Sequence, residues 1–451
     1  MDIIFFKLIL IFSGLALSAY LFYKASGTLM PNKLNLISYT FYLIILQSYI
    51  GVSLAYLGDR KHYMIGYIIE DKNIDKTFYL LLFTIIVMPL TILLIEKIFN
   101  VDAKRDYDIY LKKEVETSNE KNVFLITAAV SAFCIMVMTY MFVRIGYIPI
   151  FKLIFKDPNL DLALERIRIS NITSYVANIF VLTFIPMLSY LAFTFCMNVK
   201  DKKWKILFSI LFISSILIKT YNFAKAPVVF YLFVFIIIYI YVKGEIKLKL
   251  FIPLVAFLGA IIFAMYALNG RLNHIFSIYE GPLGRTIYTQ AVTLIFHIDL
   301  FTSGLPLLMG RSFSPTILSL VGIGQSHIRS ARVVMTYYGS RNVYKGIAGV
   351  MNAMFIGEAF ANFGVKGVVF AAIYMGILFG GIFIIFLKCK KDPINITLFA
   401  VLTSNFAITS QAGFCDFMYS SSTISIIALL MFIKYSTFIF EKLNIKSLKR
   451  N

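Results

Sequence analysis

The chain has 451 residues, of which 59% are hydrophobic and only 15% charged, so too little polar surface remains to cover a soluble fold. The formal net charge of +20 does not imply nucleic acid, because the lysines sit in small clusters between apolar runs of about 20 residues, as membrane-anchoring charges do. Cys134, Cys196, Cys389 and Cys415 are isolated and form no CxxC pair or zinc-ligand spacing, which leaves disulfide and zinc readings without support.

In chain order, runs long enough to cross about 30 Å of hydrocarbon predict spans over 3–23, 34–57, 77–99, 123–143, 171–198, 206–223, 226–242, 250–268, 365–387, 394–411 and 421–440. The expected fold is therefore an all-α polytopic membrane protein of about eleven transmembrane helices, one integral membrane domain over 1–451. The first run lacks a basic leader and a small-residue cleavage pattern, so it reads as a true span.

The short connectors with dense basic clusters fall on one side. They hold Lys24 and Lys33, then Lys104, Arg105, Lys112, Lys113 and Lys121, then Lys200 to Lys205, Lys243 to Lys249, Lys388 to Lys391, and the tail from Lys442 to Arg450. The positive-inside rule assigns that side to the cytoplasm, with the N-terminus outside and the C-terminus inside. The long segment 269–364 then faces outward, where nucleotide donors are absent. Within it, Ala291–Met309 and Gly346–Phe363 are apolar enough to be expected as re-entrant or interfacial helices packed on the bundle.

This external segment concentrates the candidate chemistry. It carries Arg271, Arg285, Arg311, Arg329, Arg332 and Arg341 with no lysine until Lys345, and three of the four histidines, His274, His297 and His327. Arginine binds phosphate through a planar fork, whereas lysine is a hydrated point charge, so the preference points to an anionic ligand. The acids at hand to pair with these cations are Glu280, Asp299 and Glu358. His327 is the best-placed general base, two residues from Arg329. Glu358, in an apolar run, reads either as a base or, preferably, as the counter-ion of an arginine. Lys225, in a tight turn between two spans, is a second candidate phosphate contact. No G-x-S-x-G, Walker A, HExxH or paired-aspartate metal motif stands out in the external loops.

The span arrangement, the large external loop, Gly310-Arg311-Ser312-Phe313, and Gly357-Glu358 followed by Asn362-Phe363-Gly364 and Gly367 together resemble the Wzy-type oligosaccharide repeat-unit polymerases, of the O-antigen polymerase and ligase superfamily. The motif-bearing part covers about 270–380. The resemblance implies a GT-C-like membrane glycosyltransferase in the bacterial cytoplasmic membrane. It would join undecaprenyl-diphosphate-linked oligosaccharides into a surface polysaccharide, O-antigen or capsule, at the outer face, without a cofactor or metal. Arg271, Arg285, Arg329, Arg332 and Arg341, with Arg311 and Lys225, form the pool for a diphosphate clamp, and His327 or Glu358 would receive the acceptor proton. Arg311 and Gly322 match an R-x10-G spacing linked to these enzymes, and Lys225 stands where many relatives carry an arginine. Implied partners are membrane lipids, a chain-length regulator and a flippase, and not nucleic acid. The competing functions are a flippase or polysaccharide exporter of lipid-linked glycans and an O-antigen ligase of the same superfamily.

Overall fold

The computed structural model describes residues 2–155, 162–223, 226–267, 276–320, 322, 326–346, 348–415 and 420–448. Among these residues the regular structure is helical throughout, with no strand. A helix occupies each of the eleven stretches expected to span. Eight are long and apolar enough to cross a membrane: Ile3–Lys33, Leu36–Tyr56, Lys72–Ile98, Glu120–Ile145, Tyr175–Asn198, Ala226–Lys243, Phe355–Lys388 and Ser421–Lys442. The other three are Lys202–Lys219, with lysines at both ends, Leu248–Ala267, and Pro393–Thr409, which has 17 residues. The fold is that of a polytopic membrane protein.

Local chemistry sets several boundaries. The second span starts at Leu36 because Asn35 accepts the Ile37 and Ser38 amides, and Ser38 returns a hydroxyl acceptor to the Asn35 amide. The long helix Phe355–Lys388 is two helices joined at Gly364, whose φ of 60° and ψ of −146° lie where only glycine is relaxed.

The described chain gathers into two compact units. One comprises Met1–Tyr107, Arg271–Leu387 and Asn405–Ser420; the other comprises Asp108–Gly270, Lys388–Ser404 and Ser421–Asn451.

In the first unit, Asp2–Ser26 packs along Lys72–Ile98, with Ser18 donating to the Ile85 carbonyl at 3.2 Å. Tyr56 stacks on Phe78, ring centres 4.1 Å apart. Helical turns follow without a break through Gly281–Gly284, Arg285–Thr289, Gln290–Asp299 and Leu300–Gly304, the second and fourth of them π-helical. Every side chain from Ala291 to Phe301 is buried, as an all-round apolar helix requires. The stretch expected as a re-entrant or interfacial piece is thus a helix packed inside this unit, against Ile50–Tyr56 and Lys72–Ile98. It ends at Gly304, five residues short of the expected limit, where Leu305 turns to extended backbone ahead of Pro306. In the second such stretch, 346–363, the described residues are helical only from Phe355.

In the second unit, Trp204 is fully buried, stacks on Phe195 with ring centres 4.1 Å apart, and donates to Glu120 at 2.7 Å. Hydroxyl pairs bridge its helices: Thr194 with Thr397 at 2.9 Å and Tyr241 with Thr403 at 3.0 Å. Lys391, fully buried, donates to the Tyr110 and Leu111 carbonyls at 2.9 and 3.0 Å, satisfying carbonyls at the end of the Ala103–Lys112 helix. Burial, then the charge of Lys113, lowers its ammonium pKa to about 8.

Candidate functional site: an open cavity beside a short amphipathic helix

The site grows from the helix end at 361–362. Helix C-termini leave carbonyls without intrahelical partners, and here Ala361 and Asn362 accept the Leu308 and Met309 amides at 2.9 and 3.0 Å. Asn362 extends this through its side chain, which accepts the Ser312 amide at 3.3 Å and donates to the Glu358 carbonyl at 2.8 Å. Gly310, at φ +87°, lets the chain turn against the Phe363 ring, which would stand 3.3 Å from a Cβ there. The two motif pieces, Gly310-Arg311-Ser312-Phe313 and Gly357-Glu358 with Asn362-Phe363-Gly364, are therefore one docked junction.

From that junction the chain returns antiparallel to itself. The Ile328 amide donates to the Arg311 carbonyl at 2.8 Å, and the Ser312 hydroxyl donates to the Ile328 carbonyl at 3.1 Å. His327 Nδ1 lies 2.8 Å from the Phe313 carbonyl, which can only accept. The proton therefore sits on Nδ1, and neutral His327 keeps its lone pair on Nε2.

Next comes the nine-residue helix Ser330–Tyr338, with Arg329 as its N-cap. Ser330, Ala331, Val334 and Met335 form its buried face. Arg329, Arg332, Val333, Thr336 and Tyr337, spaced i, i+3, i+4, i+7 and i+8, lie along the opposite stripe. That stripe lines an open cavity of about 620 Å³, together with Leu305, His327 and Ile328. The volume falls in the range of small-molecule sites. Two guanidinium groups, an imidazole and the positive end of the helix dipole stand at one end, which suits an anion.

Asp299 fixes this helix from behind. Its fully buried carboxylate accepts the Tyr338 hydroxyl at 2.8 Å, the Ile69 and Glu70 amides at 2.6 and 3.1 Å, and Asn73 Nδ2 at 2.7 Å. The Tyr338 ring stacks on Phe296 with centres 3.8 Å apart. Arg332 Nη1 donates to the Ala348 and Gly349 carbonyls at 3.0 and 2.9 Å, so its fork is partly oriented by backbone.

Of the residues nominated from sequence, His327, Arg329 and Arg332 meet at the cavity. Arg311 is placed one step back, donating to the Ser326 carbonyl and hydroxyl at 3.3 and 3.1 Å. Arg285 and Arg341 are exposed and are not among the lining residues. Arg271, Lys225 and His274 lie outside the described residues. His297 is buried, with Nδ1 2.8 Å from the Thr293 carbonyl and its Cβ against Gly357. Glu358, expected as a base or an arginine counter-ion, accepts the Phe414 amide at 2.5 Å and the Cys415 amide at 2.7 Å through Oε2 and does not line the cavity. The 413–415 segment brings these two successive N–H groups to one carboxylate oxygen.

Sequence reasoning missed Tyr337 and Thr336; their helical spacing from Arg329 and Arg332 was the available signal. It also missed a cluster at the opposite end of the buried helix. There His62, 1% exposed, stacks on Tyr288 with ring centres 5.2 Å apart, and Asp59 accepts the Tyr279 hydroxyl at 2.8 Å. Burial lowers the His62 pKa, against the opposing charges of Asp59 and Glu280. For Asp59, burial acts to raise the pKa but is outweighed by hydrogen bonds from the Lys61 amide and the tyrosine hydroxyls, so the carboxyl lies below its ordinary range. Among the described residues no three His, Cys, Asp or Glu side chains gather as a metal site.

No family model, curated protein or solved structure matches the chain. What the fold and site define is a class: an all-α polytopic membrane protein with a cationic cavity in one of its units.

Proposed function

We propose that the protein polymerises undecaprenyl-diphosphate-linked oligosaccharide repeat units into a surface polysaccharide, by glycosyl transfer at the outer face of the bacterial cytoplasmic membrane. The observation that carries this reading is the convergence of His327, Arg329 and Arg332 on one open cavity. In this reading all eleven apolar helices span, in a GT-C-like arrangement with the N-terminus outside and the C-terminus in the cytoplasm. The donor's diphosphate lies against Arg329 and Arg332 at the positive end of the Ser330–Tyr338 helix. As the anomeric carbon–oxygen bond breaks, charge grows on the departing diphosphate, and guanidinium groups already in place stabilise it. His327, with its proton on Nδ1, presents Nε2 to take the proton from the attacking acceptor hydroxyl. The products are a glycan lengthened by one repeat unit and free lipid diphosphate.

Chain-length analysis of the surface glycan in a deletion strain tests the proposal. Single capped repeat units support a polymerase. Loss of all exported units would instead indicate a flippase, and polymer accumulating on the lipid carrier would indicate a ligase.

A further inference from the structure

The stripe of the Ser330–Tyr338 helix that faces the cavity is chemically divided. Its first turn carries Arg329 and Arg332; its last carries Thr336 and Tyr337. Tyr337 lies five positions after Arg332, roughly 7.5 Å along the axis. Tyr337 is 51% exposed although it belongs to a helix with a well-buried opposite face, so its ring does not serve to fill the core. Nor is it loosely held. The Tyr338 ring meets it edge-on with centres 4.9 Å apart, and Tyr338 is itself fixed by the Phe296 stack and by the Asp299 carboxylate. An exposed aromatic surface is thus pre-oriented by a relay of buried Asp299 and Phe296 through half-buried Tyr338.

We infer that Tyr337 is a saccharide platform: its ring face receives the pyranose bonded to the phosphate that Arg329 and Arg332 hold. A pyranose presents axial C–H bonds with slight positive charge, and the face of a tyrosine ring carries the complementary negative charge. The ring also costs little ordering entropy, having two side-chain torsions already restrained. A sugar joined through its anomeric oxygen to a phosphate covers the step from the arginines to the ring. Thr336, on the same turn, adds a hydroxyl within the same wall. The inference rests on the proposed diphosphate site and adds to it a discrimination between glycosylated and bare lipid diphosphates.

The test measures binding of two probes, undecaprenyl diphosphate and undecaprenyl diphospho-N-acetylglucosamine, to the full chain in lipid nanodiscs. The wild type is expected to bind the glycosylated probe about fivefold more tightly. Tyr337→Ala removes that preference while leaving affinity for the bare diphosphate within about twofold, and Tyr337→Trp restores it. Arg332→Ala weakens both probes alike. If the wild type binds both probes equally, or Tyr337→Ala weakens both equally, the platform is overturned and the diphosphate site stands. If the wild type binds neither probe, the diphosphate site itself is overturned. Tyr338→Phe, which keeps the stack but removes the hydroxyl donated to Asp299, should reduce the preference without abolishing it; an unchanged preference would remove the relay from the account.

Discussion

Two polar regions of the first unit make an instructive pair. At the Glu358–Asn362 junction every polar group named is buried and engaged at short range: Glu358 with two amides, Asn362 with an amide and a carbonyl. At the cavity, Arg332 and Tyr337 are exposed, and His327 and Arg329 only half-buried. Both regions supplied candidate site residues from sequence, Glu358 from one and His327, Arg329 and Arg332 from the other. Burial separates them: a polar group withdrawn from water must be satisfied by the protein and so becomes scaffold, whereas one left at an open cavity retains capacity for a ligand.

The sharpest way to break this comparison is at the cavity. Replacing Arg329 or Arg332 by lysine keeps the charge and removes the fork. We expect a loss of polymer of roughly 100-fold, read on gels of surface glycan, with the protein level in the membrane unchanged. Normal polymer from both variants would remove these two residues from the ligand. At the junction the opposite pattern is expected. Glu358→Ala leaves the buried Phe414 and Cys415 amides without their carboxylate, a cost of about 3 kcal/mol, visible as a lower unfolding temperature in detergent and reduced membrane abundance. If Glu358→Ala were fully stable yet inactive, the carboxylate would belong to the chemistry after all.

A smaller effect is expected at Gly364, where the two halves of the Phe355–Lys388 helix join. Gly364→Ala strains the backbone at φ 60° by about 1–2 kcal/mol and should lower stability without changing the preference for glycosylated lipid. The smallest concerns pH. Because burial lowers the His62 pKa below its ordinary 6.5, the unfolded chain binds the proton more tightly than the folded one. Stability should therefore begin to fall as pH drops through about 6.5 and level off below the folded pKa. His62→Gln should flatten that part of a thermal-unfolding profile, and an unaltered profile would show that another group governs it.

Much of this was written in the chain. Apolar run length placed a helix at each of eleven positions, because a helix in hydrocarbon must be long and continuous in its apolarity. The choice of arginine over lysine singled out the segment that contains the cavity, and His327, Arg329 and Arg332 were named from their types and proximity alone. The same reasoning did not name the amides and the tyrosine hydroxyl that Asp299 and Glu358 accept. Which partner a buried carboxylate takes depends on amides and hydroxyls brought from 39 to 230 residues away.

Sequence by itself determined the membrane-protein class and the residues with the capacity to hold an anion, since both follow from composition and side-chain chemistry. Tertiary structure alone decided which of them share a cavity and that Tyr337 completes it. The reason is that a nine-residue helix gains its orientation from Asp299 and Phe296 on a neighbouring helix, contacts that no local pattern encodes.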